Sequence, residues 1–196
     1  MPLYRKYPER THIMPRYTEK IEKYTLPVLF LRGAVAFPSV SLSFELEDEL
    51  AINAAEAAFE NDSPVLVCAQ KELNGEKVTP ASLFRVGTVS KIKQSIKTPE
   101  GGMRVITEGY SRATVTEFRS FANYLCAEVI CKTLTMTDED KILTEAYCRA
   151  MLTETEHLVS LLPSLSNDVL TTAKGIKNPA LLADFIASNI LVKYNA

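Results

Sequence analysis

Residues 83–97 read LFRVGTVSKIKQSIK, and after a Thr98-Pro99-Glu100-Gly101-Gly102 turn residues 103–109 read MRVITEG. In the first segment Val86, Thr88, Ser90, Ile92, Gln94 and Ile96 share one face, while Arg85, Lys91, Lys93 and Lys97 lie opposite or at the ends. A period of two with one wet face is the mark of antiparallel strands joined by a turn. SRATVTEF (111–118) and YLCAEVICKTL (124–134) continue the meander. Gly87 and Gly109 fall inside these strands, where a bulge or sharp bend would let the sheet coil into a small barrel.

Upstream, LPVLFL (26–31) is short and wholly apolar, as a buried strand requires, and Arg32-Gly33 closes it. Ala34–Pro38 reads as a second short extended piece. From Ser39 to Leu46, Val40, Leu42, Phe44 and Leu46 alternate with Ser41, Ser43 and Glu45, which predicts a half-buried strand. Asp48 can cap a helix over ELAINAAEAAFEN (49–61), whose polar stripe Asn53, Glu56 and Glu60 is so narrow that most of its surface needs cover. VLVCAQK (65–71) is a compact strand, and ELNGEKVTPAS (72–82) a loop.

After Thr137, which with Asp140 approximates a capping box, the period lengthens to about 3.6. Ile142, Leu143, Ala146, Tyr147, Ala150, Met151, Leu158, Leu161 and Leu162 form the predicted apolar stripe of a long helix ended by Pro163. A second helix spans Asn167 to Lys174 with Gly175 beyond its end, and Asn178-Pro179 opens a third that runs toward the terminus. The predicted fold class is α+β. An irregular, Tyr-rich leader (1–24) precedes a β-rich domain (25–134) with one embedded helix, and a helical subdomain (137–196) follows.

The 196 residues suffice for a real core, and 46% hydrophobic content suits a globular chain. Its 22 basic and 24 acidic residues leave a net charge of -2, too weak a field to favour a phosphate backbone, so nucleic acid is disfavoured as a partner. Apolar runs break well short of the roughly 20 residues that span a bilayer, so no membrane partner is expected. Cys68, Cys126, Cys131 and Cys148 show no CxxC pair, which suits reduced thiols in the cytoplasm.

Several of these segments resemble a known family. Leu26-Pro27-Val28-Leu29-Phe30-Leu31-Arg32 followed by Phe37-Pro38, the Ala-rich helix from Glu49, and the strand VLVCAQK are similar to the opening of the substrate-binding domain of Lon-type ATP-dependent proteases. Leu83-Phe84-Arg85-Val86-Gly87-Thr88-Val89 and Glu108-Gly109-Tyr110-Ser111-Arg112 match that family's strand signatures, and Asn178-Pro179-Ala180-Leu181-Leu182-Ala183-Asp184 resembles the helices that follow in bacterial members. Two loop positions depart, Gly33 where the family commonly has Asp and Ser39 where it commonly has Gly. The resemblance implies a pseudo-barrel related to the PUA fold, an α-helical extension, and beyond it an ATPase module and a Ser-Lys protease module. It also implies unfolded or damaged proteins as partners, and a homohexamer for the whole enzyme. The segment alone is expected as a monomer or weak dimer. A free-standing adaptor or ligand-binding protein of the same family, and a PUA-like RNA-binding module, remain the alternatives.

No catalytic residue, cofactor site or metal site is expected. The sequence holds no G-x-x-x-x-G-K-[ST] loop to cradle phosphates and no G-x-S-x-G elbow, and Gly175-Ile176-Lys177 reads as a helix end. Ser90 and Lys91 would point to opposite faces of a strand, so they cannot act as nucleophile and base. His12 and His157, the only two histidines, are too few for a zinc site. Cys126 and Cys131 fall on opposite faces of a regular strand, which suits buried thiols, and the acidic run Glu47-Asp48-Glu49 suits a helix N-terminus.

What remains is surface for binding. Arg32, Phe37, Pro38, Val40 and Leu42 are the candidate peptide contacts, since these apolar residues follow a strand and cannot all face one core; the alternative is that they seal the barrel end. In the leader, Tyr4, Tyr7, Tyr17 and Tyr24 interleave with Arg5, Lys6, Arg10 and Arg16, a pattern that suits a solvated tail or a stacking surface.

Overall fold

The computed structural model describes residues 17–72, 78–121, 123–136, 141–161 and 167–190. Most of the leader, part of the 72–82 loop, the Thr137–Asp140 cap, Leu162, Pro163 and the last six residues lie outside the described residues. Six strands are present: β1 (Tyr17–Leu31), β2 (Ser41–Leu46), β3 (Val65–Gln70), β4 (Leu83–Lys97), β5 (Met103–Phe121) and β6 (Tyr124–Met136). The helices are α1 (Glu49–Glu60), α2 (Lys141–Leu161), α3 (Asn167–Gly175) and α4 (Pro179–Ile190), and a 3₁₀ turn covers Pro80–Ser82. The chain is thus an α+β protein with one mixed sheet.

The sheet runs β2-β5-β4-β3-β1-β6, and β6 then pairs with β5, so five strands close a ring. β6 makes this possible by pairing along both edges, with β1 from Tyr17↔Met136 to Pro27↔Cys126 and with β5 from Ala113↔Cys131 to Phe121↔Tyr124. β1 and β3 are parallel over Val28–Leu31, and both segments are buried on both faces, as continuous apolar strands of a covered sheet should be. β2 stands outside the ring and pairs with β5 alone.

Helix α1 packs mainly on β1 and β6. Its Asp48 cap is extended, and Oδ1 accepts the Leu50 N–H at 2.9 Å. The buried face is Ala51, Ala54, Ala55 and Ala58, whose short side chains let the helix come close to the strands. Every residue from Ala51 to Ala58 is buried or half-buried, so the helix is covered on most sides, and the exposed Leu50 and Phe59 lie at its two ends.

Four expectations need correction. Residues 17–24 are not irregular: they extend β1, because β6 offers them a full edge of backbone partners although TEKIEKY has no apolar face to advertise a strand. Ala34–Pro38 is not a strand, since positive φ at Gly33 (65°) and Ser39 (60°) turns the chain at either side of it. Gly87 is not itself a bulge: it pairs with Ala113 and with Cys68, the β3–β4 register shifting just beyond it, and its role is close approach, since a Cβ there would lie 2.7 Å from both Cys68 Sγ and the Val67 oxygen. On α2 the buried residues are Cys148 and Thr155; of the predicted stripe Met151 packs half-buried on the helical core and Leu143 and Leu158 are half-buried, whereas Ile142 is 84% exposed and Ala146, Tyr147 and Ala150 also face outward. Apolar residues occur nearly all round this helix, and contact with α3 and α4 selects the face.

Gly109 adjoins the expected irregularity, for the β4–β5 register shifts between Val89 and Ser90, opposite Ser111 and Gly109. It is also where the Arg32–Val40 loop docks. Ser39 N–H donates to the Gly109 oxygen at 2.9 Å, Gly109 N–H to the Val40 oxygen at 3.1 Å, and Thr88 Oγ1 to the Ala36 oxygen at 2.8 Å.

Helices α2, α3 and α4 bury a small core of Cys148, Ala173 and Leu182. Asn178 caps α4, its Oδ1 accepting from Ala180 N at 2.9 Å and Leu181 N at 3.2 Å. An ion pair joins the helices to the barrel, from Arg112 on β5 to Asp184 on α4 at 2.5 Å, with the Asp184 side chain only 12% exposed.

Three stability measurements follow. A Cβ at Gly109 would sit on the Phe37 carbonyl and 3.0 Å from Thr88 Cγ2, so Gly109→Ala should cost about 2–3 kcal/mol by urea denaturation. Gly175 has nothing within 4 Å, and Gly175→Ala should stay within about 0.5 kcal/mol of the parent. Ser39 holds a left-handed backbone without a glycine, so Ser39→Gly should gain about 0.5–1 kcal/mol in the same assay.

Candidate functional site

The five residues singled out in the sequence separate into two groups. Pro38 is buried, Phe37 and Val40 are half-buried, and the backbone bonds to Gly109 and Thr88 fasten this part of the loop across β4 and β5. Leu42 is half-buried and packs against the core. These four close the barrel wall. Arg32 is exposed at the end of β1 and opens on a different feature.

That feature is a cavity of about 240 Å³ at the barrel mouth, lined by Phe30, Leu31, Arg32 and Ala34, by Phe44 to Asp48, and by Ala51 and Gln70. The roughly 300–1,000 Å³ usual for small-molecule sites exceeds it, so its capacity is nearer one large side chain than a nucleotide. Consecutive strand residues point to opposite faces, so a hollow lined by all of Phe44, Glu45 and Leu46 runs along the edge of β2. Phe30 and Leu31 are likewise consecutive in β1, beyond Pro27, where the pairing with β6 stops. The cavity therefore lies between two strand edges that pair with nothing on that side among the described residues.

Its chemistry is apolar with a few polar groups. Phe30, Leu31 and Leu46 are core residues, and Phe44 packs against them half-buried. Gln70 is only 8% exposed, yet its carboxamide makes no hydrogen bond among the described residues. Carboxylates rim one side: Glu45 reaches Arg104 at 3.6 Å, whereas Glu47 is exposed and forms no ion pair among the described residues. Reading the sequence missed Gln70, Phe44 and Glu47. The available signal was a lone amide ending an otherwise apolar strand, VLVCAQ.

A second, open groove of about 460 Å³ is lined by residues of β1, β5 and β6, including Tyr24, Thr116 and Glu128. Two of its polar residues are already engaged: Thr116 Oγ1 donates to the Glu128 oxygen at 3.0 Å, and the Glu128 carboxylate meets Arg119 at 3.0 Å. All four thiols are free and buried. Burial pushes the Cys68 thiol up to about 12 and raises Cys126 as well, which removes their nucleophilic thiolate at neutral pH. His157 is exposed on α2, and among the described residues no three His, Cys, Asp or Glu side chains converge on a metal position.

Residues 25–196 match the family model described as the ATP-dependent protease La (LON) substrate-binding domain. The Lon protease of Brevibacillus choshinensis is 32% identical over 175 residues, which covers 89% of this chain and 22% of that protein. The Lon protease of Desulfovibrio desulfuricans is 35% identical over 170 residues, covering 86% of this chain and 19% of the relative. The chain thus spans about a fifth of the length of the curated relatives it matches. A solved structure titled as the N-terminal domain of Mycobacterium avium complex Lon protease has the same fold, with a TM-score of 0.55 and 22% identity over 86% of this chain and 83% of that one. On the family match, this chain belongs to the Lon protease substrate-binding domain family.

Proposed function

We propose that this chain is the recognition segment of an ATP-dependent Lon protease, binding unfolded or damaged polypeptide and cutting none itself. The observation that carries the reading is the barrel mouth, where apolar surface meets strand edges that lack partners. Unfolded chains differ from folded ones by offering apolar side chains and unpaired backbone together, and this surface answers both. The barrel read over residues 25–134 does the recognising, and the helices of 137–196 link it to an ATPase module further along the same protein. Of the residues first named as contacts, Arg32 stays at the binding surface, while Phe37, Pro38, Val40 and Leu42 support it from within the wall. A cytoplasmic site of action goes with the four free thiols.

In a homohexamer six such surfaces act together, so each can be weak while the assembly holds substrate firmly. Titrating the 196-residue chain against a fluorescently labelled, reduced and carboxymethylated protein should raise its anisotropy with a Kd of about 10⁻⁵–10⁻³ M, while the native form of the same protein leaves it flat. No change with the unfolded probe at millimolar chain overturns the reading. The absence of reactive centres has its own check. Cys68 should resist a disulfide exchange reagent at pH 8 in the native protein, where its thiolate is about one part in 10⁴, and react on unfolding.

A further inference from the structure

Resting on that reading, we propose that substrate is taken up as an added strand: an extended polypeptide pairs with the free edge of β2 and seats one bulky apolar side chain in the barrel-mouth cavity, where the Gln70 carboxamide bonds its backbone.

Four features converge on this mode. β2 pairs with β5 alone, so every second residue from Ser41 to Leu46 turns its N–H and C=O toward the open side. The cavity runs along that edge, and Phe30, Leu31, Phe44 and Ala51 give it an apolar floor of about 240 Å³, suited to a Leu, Met or Phe side chain. Gln70 is more than nine-tenths buried, lines this cavity and has no partner in the fold. A carboxamide carries both a donor and an acceptor, the complement of one peptide unit, so an entering backbone can satisfy it on both counts. Glu47 and Glu49 form no ion pair among the described residues, and with Glu45 they make the rim complementary to a basic residue beside the apolar one. Main-chain pairing is indifferent to sequence, whereas the cavity sets a mild preference, a combination fitted to many different unfolded chains.

The probe is a labelled ten-residue peptide of Ser and Thr with a central Phe flanked by Lys, titrated by anisotropy into the 196-residue chain. Methylating alternate backbone nitrogens around the Phe should weaken binding about tenfold or more, because pairing along an edge needs those donors. Gln70→Leu should weaken binding of the unmethylated peptide about fivefold while shifting Tm by less than about 2 °C, since the side chain makes no hydrogen bond in the fold that its loss would break. A residue with a purely structural role would move Tm and leave the affinity unchanged. Equal affinity for methylated and unmethylated peptide overturns the proposal, as does a Gln70→Leu chain that binds the peptide unchanged. If either occurs while the unfolded protein still binds, strand addition fails and polypeptide recognition stands. If neither peptide nor unfolded protein binds, both fail. Should Gln70→Leu not fold, the methylation comparison on the unaltered chain decides alone.

Discussion

The fold depends on β6 being paired along both edges. By lending one edge to β1 and the other to β5 it closes five strands into a ring, which leaves no free edge within the closed part. Closure also has a residue: β2, attached to β5 after the ring is complete, keeps one side open, and the last residues of β1 extend past the end of β6. Lys91–Lys97 of β4 and Lys132–Met136 of β6 are also paired along one side alone, but it is the edge of β2 and the end of β1 that border the apolar hollow. Aggregation-prone edges are normally covered or charged, and here the neighbouring carboxylates of Glu45, Glu47 and Glu49 serve that purpose without closing access.

The mouth is held in shape by contacts that depend on the absence of a side chain. Gly109 admits the Phe37 carbonyl against β5, and Gly87 admits Cys68 and Val67 of β3 against β4. These approaches tighten the barrel where the Arg32–Val40 loop crosses it, and the loop in turn separates a sealed wall from the open cavity. The helices contribute little to the barrel itself. Among the described residues they bury Cys148, Ala173 and Leu182 as their hydrophobic core, and the ion pair of Arg112 with Asp184 ties them to β5. The Asp184 side chain is only 12% exposed, so removing the arginine would leave a carboxylate largely out of water without its partner.

Much of the fold was legible in the sequence because its signals are local. LPVLFL and VLVCAQ are apolar runs of strand length, Asp48 and Asn178-Pro179 are caps that declare helix starts, and LFRVGTVSKIKQSIK carries its own period of two. What was not legible is set by partners distant in sequence. TEKIEKY becomes strand because β6 runs beside it, and AVAFP does not because the backbone turns at Gly33 and Ser39. The buried face of α2 follows its neighbours rather than its apolar residues. Of the residues that line the barrel-mouth cavity, the sequence pointed to Arg32. Whether Phe37, Pro38 and Val40 face a ligand or a wall depends on their bonds to Gly109 and Thr88, and the burial of Gln70 depends on β1 and β2 meeting around it.

One constraint thus links the fold to the proposed function: a closed barrel that leaves the edge of β2 open beside an apolar hollow. Amide hydrogen exchange of the 196-residue chain, with and without a saturating unfolded polypeptide, tests this most directly. New protection should appear in Ser41–Leu46 and around Gln70, the amides that border the mouth. Protection confined to α2–α4 or to the outer face of β4 and β5, with β2 exchanging as fast as in the free chain, would contradict the account.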